Sequence, residues 1–273
     1  MTIIQSIVLG IVQGLTEFLP ISSTAHLLLT QYIFGWEIPD QQAFIFNVLV
    51  QLGTLLALVI YFWKDLVGIL TSIIKYILRK NGASKPQAYL GWYLILATIP
   101  AIVFGVLFKS WVEQLFTNQA VAGVIRLLMT AILLVIAEKI SKLSRQFDSI
   151  TWKDALWIGF FQVLSIFPGA SRSGSTITGG MTRHLNRPSA ARFAFLMAIP
   201  VMLAAGIFEL VDLFQIPNWV NFLPYVIAGF ITATVVGYTA VHWLLKYLAH
   251  QSLYIFAIYC VILSGIILIT LVI

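Results

Sequence analysis

Charge is what this sequence has least of. Only 10% of its 273 residues are Asp, Glu, Lys or Arg, against 60% apolar residues, where a soluble globular domain carries about 25% charged side chains. No core of a chain this size hides such an apolar excess. An ordinary soluble enzyme is excluded, and a protein whose outer surface faces hydrocarbon is left. Cysteine is nearly absent: Cys260 alone excludes a disulfide framework and a cysteine-built metal site. Acidic residues are scarce, ten against sixteen basic ones, for a net charge of +6. In a membrane chain that excess reads first as topology markers, so no nucleic-acid partner is expected. The first apolar run has no basic leader and no cleavage signal, and reads as part of the fold.

At roughly 20 residues per crossing, six stretches qualify as spans: 43–63, 89–108, 119–138, 192–213, 222–243 and 253–272. Segments 2–36 and 153–183 are apolar but broken midway. Glu17, Pro20, Ser22, Ser23, Thr24 and His26 interrupt the first; Pro168, Gly169, Ser171, Arg172, Ser173 and Thr176 interrupt the second. Each half is too short to cross comfortably, and broken backbone at membrane depth must be satisfied by protein or a wet cavity. Both segments read as re-entrant helix–loop–helix hairpins, with ordinary crossings joined by polar loops as the alternative. A shift of 149 residues lays Gly10 on Gly159, Gln13 on Gln162, Leu15 on Leu164, Phe18 on Phe167 and Ser22 on Ser171, then Phe44 on Phe193 and Phe46 on Phe195. The expected fold is an all-α polytopic membrane protein, one integral domain over 1–273. Its halves, about 1–140 and 150–273, each hold a hairpin plus three transmembrane helices.

Of the 16 basic residues, 13 fall in 64–85, 139–153 and 183–192 and at Lys246. If the hairpins re-enter, these segments share one face, which the positive-inside rule makes cytoplasmic. Three spans separate the hairpins, so they enter from opposite faces. The halves are then inverted repeats whose tips meet near the midplane.

Ionisable groups inside a membrane are costly and mark function by default, and here they gather at the two tips. Gln13 and Glu17 share a helical face. Pro20 breaks the helix, Ser22, Ser23 and Thr24 can cap the next one, and His26 lies one turn in. An acid, an imidazole and hydroxyls together suit nucleophilic chemistry, the acid orienting the imidazole and the imidazole activating a hydroxyl. The second tip, Gly169 through Thr176, joins a glycine turn, the hydroxyls of Ser171, Ser173 and Thr176, and the Arg172 guanidinium at a helix start. That combination suits phosphate. The joint substrate is a phosphate ester or anhydride. Other polar residues read as structural: Arg126 as a snorkelling or packing side chain, Glu138 with Lys139 as an interface pair, and His184, His242 and His250 as interface residues.

Gln-Gly-Leu-Thr-Glu-Phe-Leu-Pro-Ile-Ser-Ser-Thr-Ala-His at 13–26, with Pro-Gly-Ala-Ser-Arg-Ser-Gly-Ser-Thr at 168–176, resembles the bacterial undecaprenyl-diphosphate phosphatase family of the bacitracin-resistance type, over essentially the whole chain. The resemblance implies removal of the terminal phosphate of a C55 polyprenyl diphosphate, which regenerates the lipid carrier of cell-wall synthesis. It implies an active centre of Glu17, Ser23, His26 and Arg172, with Gln13, Ser22, Thr24, Gly169, Ser171, Ser173 and Thr176 around the substrate. It also implies a divalent cation such as Mg²⁺, for which Glu17 is the one acidic ligand because Gln13 stands where a second acid can occur. Such an ion would lean on diphosphate oxygens and water. Ser23 and His26 are both open as the nucleophile. A plasma-membrane location, a site opening to the external face and a homodimer are compatible with this reading. The rival is a membrane transporter or polyprenyl-phosphate flippase, because inverted repeats with broken helices are also transporter architecture.

Overall fold

The computed structural model describes residues 1–273 except 80, 83, 116–118, 167–169, 214–218 and 273, and leaves aside the side chains at 40–41, 109–120, 208–219 and 270–272. In chain order the helices are α1 (Ile3–Thr16) and α2 (Ser23–Ile33), α3 (Asp40–Tyr61), α4 (Trp63–Ile77), α5 (Lys85–Leu115) and α6 (Gln119–Ile140). After them come α7 (Trp152–Val163) and α8 (Arg172–Thr182), then α9 (Arg187–Leu213), α10 (Leu223–Leu248) and α11 (Tyr254–Val272). No strand occurs among the described residues, where the single bridge joins Arg145 and Leu185.

The two broken segments are built alike. Thr2 and Thr151 each open a helix with a capping box, accepting from the amides of Gln5 and Asp154, whose side chains bond back to the threonine amides. Thus α1 and α7 start 149 residues apart, and so do α2 and α8. Five helices, α3, α5, α6, α9 and α10, are long and apolar enough to cross a membrane. The sixth expected span falls on α11, which over Tyr254–Ile269 counts with the shorter apolar helices. The chain is a multi-pass, all-helical membrane protein.

The halves interlock reciprocally. Helix α1 packs on α10 and α7 on α5; α3 meets α9 and α6 meets α11. Glycines permit the closest of these approaches. A methyl group on Gly10 would lie 2.7 Å from the Gly229 carbonyl oxygen, and one on Gly159, its counterpart, would press into the Ala97 carbonyl. Other aligned pairs part company: Phe193 is buried, whereas Phe44 is 37% exposed.

Two features were not legible in the sequence. The segment after α3 is not all loop. Trp63, Val67, Leu70, Ile74 and Ile77 form an exposed apolar stripe along α4, with Lys64 and Lys75 off it, as on a helix lying along a membrane surface. At the base of the second hairpin, buried Asp154 binds the guanidinium groups of Arg145 (2.7 Å) and Arg183 (2.8 Å). Burial alone would raise the Asp154 pKa, but bonds from Arg145, Arg183 and Thr151 overcome it and hold the carboxyl below its ordinary range. The stability this contributes is in place above the ordinary carboxylate pKa and is lost as pH falls through the lowered value. Glu138, expected beside Lys139, instead takes the Arg187 guanidinium (2.5 Å) and the Leu253 amide (2.7 Å). Adjacent residues on a helix point to different faces, so they do not pair.

If the α5–α7 crossing depends on Gly159, Gly159→Leu should lower stability by about 1–3 kcal/mol through overpacking, read as a lower unfolding temperature in detergent. Gly265→Ala, where an added methyl meets nothing within 4 Å, should leave that temperature unchanged.

Candidate active site

The site begins where α1 ends. Glu17 is the C-cap of α1, and Gln13, one turn earlier, donates its amide to Glu17 Oε2 at 2.9 Å. The chain turns through Pro20 and reaches Ser22, whose φ of 68° lies in the left-handed region. That conformation costs an L-residue about 1–2 kcal/mol. Ser22 makes no side-chain cap for α2; the backbone turn brings Ser23 round, and the Ser23 hydroxyl donates to Glu17 Oε2 at 2.7 Å.

The second tip starts α8 with a true cap: the Gly174 amide donates to Ser171 Oγ at 3.3 Å. Arg172 is the first residue of that helix, and its guanidinium pairs with Glu17 Oε1 across 155 residues of chain. Both side chains are mostly shielded, at 19% and 8% exposure. One further bond joins the tips, from the Ser173 hydroxyl to the Leu19 carbonyl (3.0 Å), and another ties the second tip to α6, from the Ser171 amide to Thr130 Oγ1 (2.8 Å).

A cavity of about 460 Å³ opens beside this junction, within the range of small-molecule sites. Gln13, Glu17, Ser22, Ser23 and Thr24 line it from the first tip, Ser171 and Arg172 from the second. Asn47 and Gln51 reach it from α3 and Arg126 from α6, while Leu27, Leu28 and Val201 give it an apolar side.

The match to known proteins covers this whole arrangement. The family model described as bacitracin resistance protein BacA matches residues 6–267. The chain belongs to that family. An undecaprenyl-diphosphatase of Chlorobium phaeobacteroides is 42% identical over 274 residues, covering 97% of this chain and 95% of its own length. The undecaprenyl-diphosphatase of Chlorobium limicola is 40% identical over 279 residues, covering 98% and 96%. That of Moorella thermoacetica is 40% identical over 270 residues, covering 98% and 97%.

Within this member of the BacA family, the expected site residues separate into two groups. Gln13, Glu17, Ser22, Ser23, Thr24, Ser171 and Arg172 face the cavity. His26, Ser173 and Thr176 do not. Ser173 is spent on Leu19, and the Thr176 hydroxyl donates back to the Arg172 carbonyl at 2.8 Å. The His26 ring lies between the Ser22 carbonyl, 2.8 Å from Nδ1, and the Tyr259 hydroxyl of α11, 2.7 Å from Nε2. A carbonyl only accepts, so Nδ1 carries the hydrogen and Nε2 accepts from tyrosine. The Ser23 hydroxyl is therefore bonded to the acid and not to the imidazole. Gly169 lies outside the described residues.

Sequence reasoning missed Arg126, Asn47, Gln51 and Tyr259. Arg126 carried a signal, since a guanidinium inside a span is functional by default, but it sits near a helix end, where snorkelling is the common explanation. The amides and the tyrosine carry no signal distinct from ordinary helix packing.

A divalent cation finds a poor home in these residues. No group of three His, Cys, Asp or Glu side chains that could hold one occurs among the described residues. Glu17 Oε1 is taken by Arg172 and Oε2 by Gln13 and Ser23, and a second guanidinium, Arg126, lines the same cavity. The donor set does not build a cation cage.

Removing one partner from a shielded ion pair leaves an uncompensated charge. Arg172→Met should therefore cost about 3–5 kcal/mol of stability. The double variant Glu17→Gln with Arg172→Met should recover most of it, measured as unfolding temperatures in detergent.

Proposed function

We propose that this chain is an undecaprenyl-diphosphatase of the plasma membrane, and that it confers bacitracin resistance by regenerating the lipid carrier. The observation that carries the reading is the Ser23 hydroxyl on Glu17 with the Arg172 guanidinium on the other carboxylate oxygen. A nucleophile, its proton acceptor and a phosphate-binding cation thus meet at the wall of one cavity. A transporter needs groups that bind, whereas a hydroxyl already bonded to a carboxylate beside an arginine suits bond cleavage.

In this mechanism Ser23 Oγ attacks the terminal phosphorus and its proton passes to Glu17. The bond from that phosphorus to the bridging oxygen breaks, and the bridging oxygen leaves with the prenyl phosphate. Water then cleaves the phosphoserine. Arg172 and the α8 amino end hold the charge of the transferred phosphoryl group. His26, with its ring held by Tyr259, fixes the strained Ser22 turn that aims Ser23. No step is routed through a metal; the divalent cation implied by the family resemblance would arrive on the diphosphate oxygens and keep its waters.

The element order supports an external opening. Helices α3 and α6 both start on the face opposite the basic segment 64–85; Asn47 and Arg126 lie in their third turns and Gln51 near the middle of α3. The cavity mouth then lies on that outer face, where the positive-inside rule leaves few basic residues. With α3, α5 and α6 crossing between the hairpins and α4 lying along the surface, the halves are inverted repeats.

Purified protein in detergent should release inorganic phosphate from undecaprenyl diphosphate. Arg172→Lys should keep the fold but lose about 100-fold in turnover, because an ammonium cannot reproduce the guanidinium fork. Ser23→Ala should abolish release. Radiolabelled phosphate trapped on Ser23 supports the mechanism, and phosphate trapped on His26 reverses it.

A further inference from the structure

Seven arginines occur in the chain, and five of them each face a carboxylate: Arg145 and Arg183 share Asp154, Arg172 has Glu17, Arg187 has Glu138 and Arg192 has Asp65. Arg126 does not. Its side chain lines the cavity without an ion pair or hydrogen bond to any described residue, although it lies in a helix apolar enough to cross the membrane. A permanent cation at that depth is costly unless an anion meets it. Glu17, the one carboxylate among the described residues that line the cavity, is already bonded to Arg172. Among the described residues, the cavity lining therefore carries one positive charge in excess.

The backbone around Arg126 is tied to the second tip. The Thr130 hydroxyl donates to the Arg126 carbonyl at 2.6 Å and accepts from the Ser171 amide at 2.8 Å. One threonine thus sets this turn of α6 against the start of α8, where Arg172 projects. The two guanidinium groups enter one cavity from separate helices, with fixed relative placement.

We propose that Arg126 is the second phosphate-binding guanidinium of this site and holds the lipid-side phosphate of the diphosphate. Resting on the diphosphatase reading, the assignment gives the two phosphates different partners. Ser23 and Arg172 take the terminal phosphorus, at the welded tips. Arg126 takes the phosphate that leaves with the prenyl chain. When the Ser23–phosphorus bond forms and the bridging bond breaks, the electron pair stays on the bridging oxygen of the prenyl phosphate, and Arg126 offsets the charge gathering there. The substrate class selected is a lipid diphosphate over a monophosphate ester, which lacks a group to occupy Arg126.

Titration calorimetry of detergent-solubilised protein tests this with two non-hydrolysable ligands, methylenediphosphonate and methylphosphonate. Arg126→Gln should weaken methylenediphosphonate by about 10- to 100-fold, the range for a lost hydrogen bond between charged groups, and methylphosphonate by less than about threefold. Arg126→Lys should recover part of the loss. The unfolding temperature of Arg126→Gln should not fall, because no described residue loses a partner. Equal weakening of both ligands, no weakening of either, or a fall in unfolding temperature overturns the assignment. Absence of phosphate release by the wild type would overturn the diphosphatase reading instead, while the difference between the two ligands would still report on Arg126.

Discussion

The pair between Glu17 and Arg172 is the constraint on which the site depends. Each charge is costly alone at membrane depth, and both side chains are mostly shielded. Each tip answers a need of the other. The guanidinium neutralises the carboxylate, and the Ser173 hydroxyl adds a second donor to the Leu19 carbonyl, which the Ile21 amide already meets; Thr130 of α6 satisfies the Ser171 amide at the start of α8. Two broken backbones that would each be unstable in hydrocarbon become mutually satisfied when they meet. The same contact delivers chemistry, because the carboxylate that anchors Arg172 is also the acceptor of the Ser23 hydroxyl.

The two broken segments are built alike, and their departures make the two tips unlike. The shift that aligns the hairpins places Ser23 on Arg172: each is the first residue of its helix, after Ser22 in one half and Ser171 in the other. One half thus presents the Ser23 hydroxyl at the position where the other presents the Arg172 guanidinium. The acid has no duplicate, since Ile166 stands where Glu17 would recur. Gln162 aligns with Gln13, yet its amide has no hydrogen-bond partner among the described residues, whereas Gln13 has Glu17. Close packing preserves the frame through Gly10 and Gly159, whose missing side chains let helices of opposite halves approach backbone to backbone. A symmetric scaffold with asymmetric tips gathers unlike groups at one junction.

Electrostatics then divides the arginines by task. Those at the rim tie loops to helix ends, as Arg145 and Arg183 do on Asp154 and Arg187 does on Glu138. Arg172 spends its charge holding an acid in place. Arg126 lines the cavity and pairs with no carboxylate among the described residues. The apolar wall of Leu27, Leu28 and Val201 suits the attached chain, so the cavity has the mixed character that a lipid headgroup with its first isoprene units requires.

Composition and hydropathy alone determined that the chain is a helical membrane protein, where its two broken segments lie, and that their tips hold the acid, the hydroxyls and the guanidinium. Those readings rest on local quantities: apolar run length, proline and serine at a break, and the cost of a charge in hydrocarbon. The repeat was legible for the same reason, because equivalent local structures need equivalent residues at their caps and breaks. Partnership was not legible. That His26 faces Tyr259, 233 residues away, that Glu138 faces Arg187, that Thr176 turns back on its own helix and that Arg126 opens into the cavity all depend on how helices rotate against each other. Helix periodicity places a residue on a face, but tertiary packing alone decides what that face meets.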